Sequence, residues 1–169
     1  MWGRTLAGAL AAALLATGGC AYTVSGVLPG HLKTLAVPVF GNNTVEFRLA
    51  DDVTQAITEA FLADRRLKLV RERDADAVLR GTVLSYRNQV YGYTTEERAT
   101  EYEIVLVVQL AFRDQVKNRI LWKEDQLAVR TTYNVVPVGG EAARTETEGR
   151  AEVVQKLADQ IVSRTVQGW

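Results

Sequence analysis

Cys20 is the only cysteine of this 169-residue chain, and it follows a short apolar run, Leu6 to Ala16, with Gly18-Gly19 directly before it. A thiol so placed can accept a diacylglycerol, and the small residues before it let an extended segment enter a peptidase. Arg4 supplies the positive start of a leader. The pattern is that of a lipobox, with Thr17 where leucine is usual and Leu15 lying early. Two other readings fit the same residues: an ordinary secretory leader and a buried free cysteine. A membrane-spanning helix needs roughly 20 apolar residues, more than this run provides. The residues thus predict a leader over 1–19 and a covalent lipid on Cys20, with no other cofactor. At ~0.8 kcal/mol per buried methylene, two or three acyl chains hold a protein firmly on a membrane. Ala21 stands where an aspartate would retain such a protein at the inner membrane, and by analogy with Gram-negative lipoproteins this points to the outer membrane.

Little else in the chain is equipped for chemistry. His31 is the only histidine, sits in a turn-rich lead without a nucleophile beside it, and reads as a surface histidine. Ser25, Ser85 and Ser163 lack a nucleophile-elbow context, and neither a Gly-rich phosphate loop nor an HExxH pattern occurs. Asp51-Asp52 and Glu96-Glu97 are paired in sequence, but adjacent helix residues point in different directions. Capping or solvation accounts for the first pair and a hairpin tip for the second. Asp74 and Asp76 begin like a calcium loop whose later ligands are missing. A single cysteine allows no internal disulfide and no cysteine cluster for a metal. The expectation is a non-enzyme with no metal site. Losing Arg4 with the leader leaves 19 basic against 20 acidic residues, which argues against nucleic acid as a partner.

One segment has the composition of an interface. Residues 86–100 carry Tyr86, Tyr91 and Tyr93 with Arg87 and Arg98. Tyr and Arg are enriched where proteins meet, and Arg binds phosphate bidentately. The same residues can instead be tyrosines covering a sheet edge and arginines that are merely solvated.

The elements that position these residues follow from period. Residues 20–33 are a lead containing Pro29-Gly30. Thr34–Phe40 reads as a strand in which Pro38 marks an edge or bulge, closed by a loop at Gly41–Thr44. Over 48–64, Leu49, Val53, Ala56, Ile57, Ala60 and Phe61 recur at helical spacing. A short extended piece, Leu67–Val70, and a charged turn, 71–76, come next. Strands are predicted over 77–91, 101–112 and 120–133, the last interrupted near Glu124-Asp125 by a bulge. The middle one alternates Tyr102, Ile104, Leu106, Val108, Leu110 and Phe112 on one face and is only partly polar on the other, as a central strand would be. After a loop over 134–143, Val154, Leu157, Ala158, Ile161 and Thr165 form the stripe of a closing helix. Residues 20–169 therefore make one α+β domain, two helices packed on a four-stranded, mostly antiparallel sheet in the order β-α-β-β-β-α. The first two strands lie parallel through the helical crossover, and the last three form a meander.

This layout resembles the LptE family, outer-membrane lipoproteins of lipopolysaccharide assembly. Cys20-Ala-Tyr22, Leu28-Pro29, Lys33–Thr44, Ala75–Val83 and Ala99–Ile104 carry the resemblance, in order, over nearly all of the chain beyond the leader. Ala21 replaces the commoner glycine, and the long polar tail of some members is lacking. The resemblance implies a lipid-anchored protein on the periplasmic side of the outer membrane. Such a protein plugs an LptD-type β-barrel, assists its assembly, and binds lipopolysaccharide in transit. By region it implies lipopolysaccharide contacts at Arg87, Arg98 and Arg144. An adaptor of another cell-envelope complex, without lipopolysaccharide binding, is the alternative.

Overall fold

The computed structural model describes residues 28–93 and 97–167. Cys20, the leader over 1–19, the lead as far as residue 27, and Glu96 lie outside the described residues. The described chain forms β1 (Thr34–Ala36), β2 (Gly41–Asn42), α1 (Leu49–Asp64), β3 (Lys68–Leu69), β4 (Ala77–Tyr93), β5 (Ala99–Asp114), β6 (Arg119–Asn134) and α2 (Glu146–Gln167), with a 3-10 turn at Glu72–Asp74. The strands make one mixed sheet in the order β3-β1-β4-β5-β6, and β2 also pairs with β4.

The antiparallel meander β4-β5-β6 and the parallel pairing of β1 with β4 follow the reading of the sequence. The expected four strands are corrected to six, because the parallel edge contains two additional short strands. Lys68 N–H donates to Lys33 O at 2.9 Å and Val70 N–H to Leu35 O at 3.0 Å, enough to add β3 beside β1. Nor is Thr34–Phe40 one strand. Pro38, which has no amide donor, falls in a break, and the chain rejoins the ladder at Gly41–Asn42, where a loop was expected. Phe40 turns its ring into the core across Gly81, where an added Cβ would lie 2.2 Å from a ring carbon. Its N–H donates to Thr54 Oγ1 at 3.0 Å, tying the break to α1. Two-residue strands carry no period, so alternation cannot mark them.

Both helices lie against one face of the sheet and against each other. Leu49, Val53, Ile57 and Phe61 of α1 are fully buried, and the helix ends where Arg65 takes a left-handed φ of 64°. A capping box opens α2: Glu148 N–H donates to Thr145 Oγ1 at 3.3 Å, while Thr145 N–H donates to Glu148 Oε2 at 2.7 Å. Gly149 lets the first turn settle on the sheet, since a Cβ there would meet Tyr133 at 2.8 Å and Ile104 at 3.0 Å. Between the layers, Ile104, Leu106, Val108, Leu110 and Phe112 of β5 join the helix stripes in one core. The bulge expected on β6 is present: Val108 pairs with Leu127, but Leu110 pairs with Glu124. The extra residue keeps Trp122 on the core side, its ring 6.0 Å from that of Phe112.

Candidate functional site

Three regions gather the residues that can recognise something: the end where the lead enters, the opposite tip, and the face of the sheet that among the described residues no helix covers. At the lead end, His31 Nε2 lies 2.8 Å from Oδ2 of Asp114, whose side chain is fully buried. Lys117 N–H donates to Asp114 Oδ1 at 2.9 Å. Burial pushes the Asp114 carboxyl up, but the Lys117 N–H and His31 outweigh it and hold the group below the usual carboxylate range. His31 is therefore not a merely solvated surface residue. It fastens the lead to the end of β5. Asp76 accepts the Lys33 and Thr34 N–H groups at 2.8 and 2.9 Å, and the Lys33 donor, with Thr34, lowers its pKa. Both acids serve to dock the chain entry, through contacts spanning 83 and 42 residues that no local spacing reveals.

The tip lies far from this end. β4 and β5 stay paired from Ala77–Asp114 to Tyr93–Ala99, about 50 Å at ~3.3 Å per residue. Val135 N–H donates to Thr100 O at 3.0 Å and Arg144 N–H to Asn134 O at 2.7 Å, folding the loop before α2 onto the hairpin base. The segments of Arg98 and Arg144 thus meet at one end, with Tyr91, Tyr93, Val136 and Val138 exposed around them. Arg144 is committed: its Nη1 donates to Glu152 Oε2 at 2.5 Å and its Nη2 to Glu148 O at 3.4 Å. Glu152 also accepts Lys156 at 2.6 Å and Thr131 Oγ1 at 2.5 Å, and these donors, Lys156 foremost, lower its pKa to about 2. Tyr86 is a packing residue. Its hydroxyl donates to Glu146 Oε1 at 3.1 Å, the Arg150 guanidinium covers its ring at 5.6 Å, and burial raises its pKa.

The face of the sheet away from the helices has a pattern that local reading missed. Arg87 on β4 pairs across with Val105 on β5, and Val105 pairs with Arg130 on β6. Six residues along β5, Arg80 pairs with Ala111, and Ala111 with Lys123. Each row is cation, small apolar residue, cation. Between them lie Val107 with Ser85 and Ala128. Val105 is buried, yet it lies outside the core cluster. An open depression of about 600 Å³ crosses the lower row and includes Pro38, Val39, Arg80, Gly81, Ala111 and Lys123. Arg130 is 3.7 Å from Glu103, Lys123 is 2.7 Å from Asp125, and Arg80 pairs with Glu72. Arg87 is exposed and has no ion pair or side-chain hydrogen bond among the described residues. Alternation places Arg80, Arg130 and Lys123 on strands, but only register puts them opposite β5.

Among the described residues no group of three His, Cys, Asp or Glu side chains could hold a metal ion, and no helix is long and apolar enough to cross a membrane. What the arrangement offers is recognition, by cations set among apolar residues and by an exposed aromatic tip.

Comparisons with solved structures agree on the fold. A Xanthomonas campestris protein is 10% identical, with 83% of this chain and 89% of that one covered at a TM-score of 0.58. The PelC dodecamer from Paraburkholderia phytofirmans is 18% identical, with coverage of 85% and 96% and a TM-score of 0.54. A minor lipoprotein from Acinetobacter baumannii is 23% identical, with coverage of 79% and 90% and a TM-score of 0.51. At these identities the likeness is one of fold alone. No curated protein sequence matches the chain. The model of the LptE family, described as lipopolysaccharide-assembly, matches residues 32–165, from the end of the lead to the last turn of α2. With that span matched, the chain belongs to the LptE lipopolysaccharide-assembly family.

Proposed function

We propose that this is a non-enzymatic lipoprotein, anchored through Cys20 on the periplasmic side of the outer membrane. It plugs and helps assemble an LptD-type β-barrel and binds lipopolysaccharide on its way to the cell surface. Beside the family match, the supporting observation is the polarity of the molecule. The chain enters at the His31–Asp114 end, while the exposed tip around Tyr91 and Tyr93 lies about 50 Å away. A tether at one end leaves the other free to reach into a barrel. Aromatic side chains at such a tip suit a protein wall, since they bury large area with little rotamer loss. Of the three arginines proposed for lipopolysaccharide, Arg144 already holds Glu152, and Arg87 is uncommitted among the described residues.

The test is purification of the acylated protein from membranes with its native partner attached. A stable pair with a large outer-membrane barrel is the expected result, and Cys20→Ser should cost membrane attachment while leaving the domain folded. Recovery with other envelope components and no barrel would favour the adaptor reading. The observation behind that alternative is that PelC, with a similar fold, forms a dodecamer.

A further inference from the structure

We infer that the uncovered sheet face, and not the tip, takes the phosphorylated part of the amphiphile, its anions on the rows Arg87–Val105–Arg130 and Arg80–Ala111–Lys123. The inference rests on the proposed function for the identity of the ligand and adds where on the chain it sits.

The argument begins with what an antiparallel sheet does when helices cover one side only. Its other side is ordinarily polar and alternating. Here β5 carries Val105, Val107 and Ala111 along that side, with Gln109 between the last two donating to Asp125 Oδ1 at 3.2 Å, and the cations stand on the two neighbouring strands. Arg87 and Arg130 flank Val105 across two strand spacings, about 10 Å between backbones. Long arginine side chains from both sides can converge on one phosphate over the apolar residue between them. The second row repeats the arrangement about 20 Å further along β5, at the depression of about 600 Å³. Cation rows whose own centres, Val105 and Ala111, are apolar, with Val107 beside the first, match a ligand with separated phosphates and hydrocarbon beside them.

The existing pairings do not oppose this. Arg80, Lys123 and Arg130 keep side chains at least half exposed in their pairs with Glu72, Asp125 and Glu103. The Glu72 and Asp125 pairs are exposed on both sides. At 3.7 Å Arg130 touches the largely buried Glu103 only loosely, while Gln89 also donates to that carboxylate. Such pairs contribute little and are screened by salt, so a phosphate, which takes Arg bidentately, competes well. Arg87 has no pairing among the described residues to give up. At the tip the balance is reversed, because Arg144 is held by a carboxylate that Lys156 and Thr131 also hold.

The experiment measures binding of purified lipopolysaccharide to the acylated full-length chain in detergent. It compares the wild type with Arg87→Glu/Arg130→Glu, Arg80→Glu/Lys123→Glu and the tip variant Arg98→Glu/Arg144→Gln. Each face variant should weaken binding at least tenfold while retaining the partner on co-purification, and the tip variant should change it less than threefold. Circular dichroism melting monitors folding. Arg87→Gln/Arg130→Gln, which adds no like charge, should still weaken binding at least threefold. Face variants that bind like the wild type overturn the inference and leave the transport reading standing. A face variant that loses the partner but keeps lipopolysaccharide makes this face a protein contact and also overturns it. A wild-type chain that binds no lipopolysaccharide overturns the ligand half of the proposed function, and this assignment with it.

Discussion

Along β5, Ile104, Leu106, Val108, Leu110 and Phe112 face the helices and are closed off entirely, while Val105, Val107 and Ala111 between them face the other way. The open side also carries Glu103 and Gln109, but its valines and Ala111 keep it largely apolar along the middle of the strand, so hydrophobicity alone separates the two faces poorly. Their neighbours separate them. On the covered side β4 and β6 contribute Leu79, Val83, Leu127 and Val129 to the core, whereas on the open side they contribute Arg80, Arg87, Lys123 and Arg130. A central strand can therefore be flanked by core on one side and by rows of cationic side chains on the other.

The contrast can be broken most forcefully by truncating one residue from each face. Phe112→Ala should cost about 3–5 kcal/mol and Val105→Ala about 1 kcal/mol, read from urea midpoints. Equal losses would mean that the open face is core as well. At the end of β5, Asp114→Asn weakens the hold on His31 and should cost about 1–3 kcal/mol in the same assay. A smaller loss would show that the lead is not fastened there.

Charge should matter differently on the two faces as well. Glu152, behind the covered face, has its pKa lowered from 4.5 to about 2. A depressed carboxylate stabilises the fold fully above its unfolded pKa, and that contribution disappears as pH falls from about 4.5 through about 2. Because its side chain is 30% exposed, solvent screening leaves about 1 kcal/mol of this. Glu152→Gln should flatten that part of an acid titration of stability and leave the Asp114 contribution in place. The smallest effect is expected on the open face, where Arg87→Glu/Arg130→Glu should shift stability by less than about 0.5 kcal/mol. A larger shift would mark those rows as structural.

Several elements were legible from residues alone. The stripes of both helices, the double alternation of β5 and the irregularity at Glu124-Asp125 are local periodic signals, and all appear at those positions. The Thr145–Glu148 capping box is a local signal of the same kind. β3 lies within the short extended piece expected at Leu67–Val70, whereas β2 falls where a loop was expected, since it exists only through a few backbone bonds to a distant partner. His31 reads as an isolated surface residue until Asp114, 83 positions away, is folded against it.

The sequence by itself determined the two helices and the three long strands, their apolar stripes, and which family the chain resembles, because those properties depend on the order of nearby residues. Only the tertiary structure decided that Arg87 and Arg130 flank Val105, that Arg80 and Lys123 flank Ala111, and that Arg144 is held by Glu152. Those juxtapositions depend on strand register and on the docking of α2. Both are set by how the apolar sets of separate strands and helices fit together in one core, a condition no local stretch of residues contains.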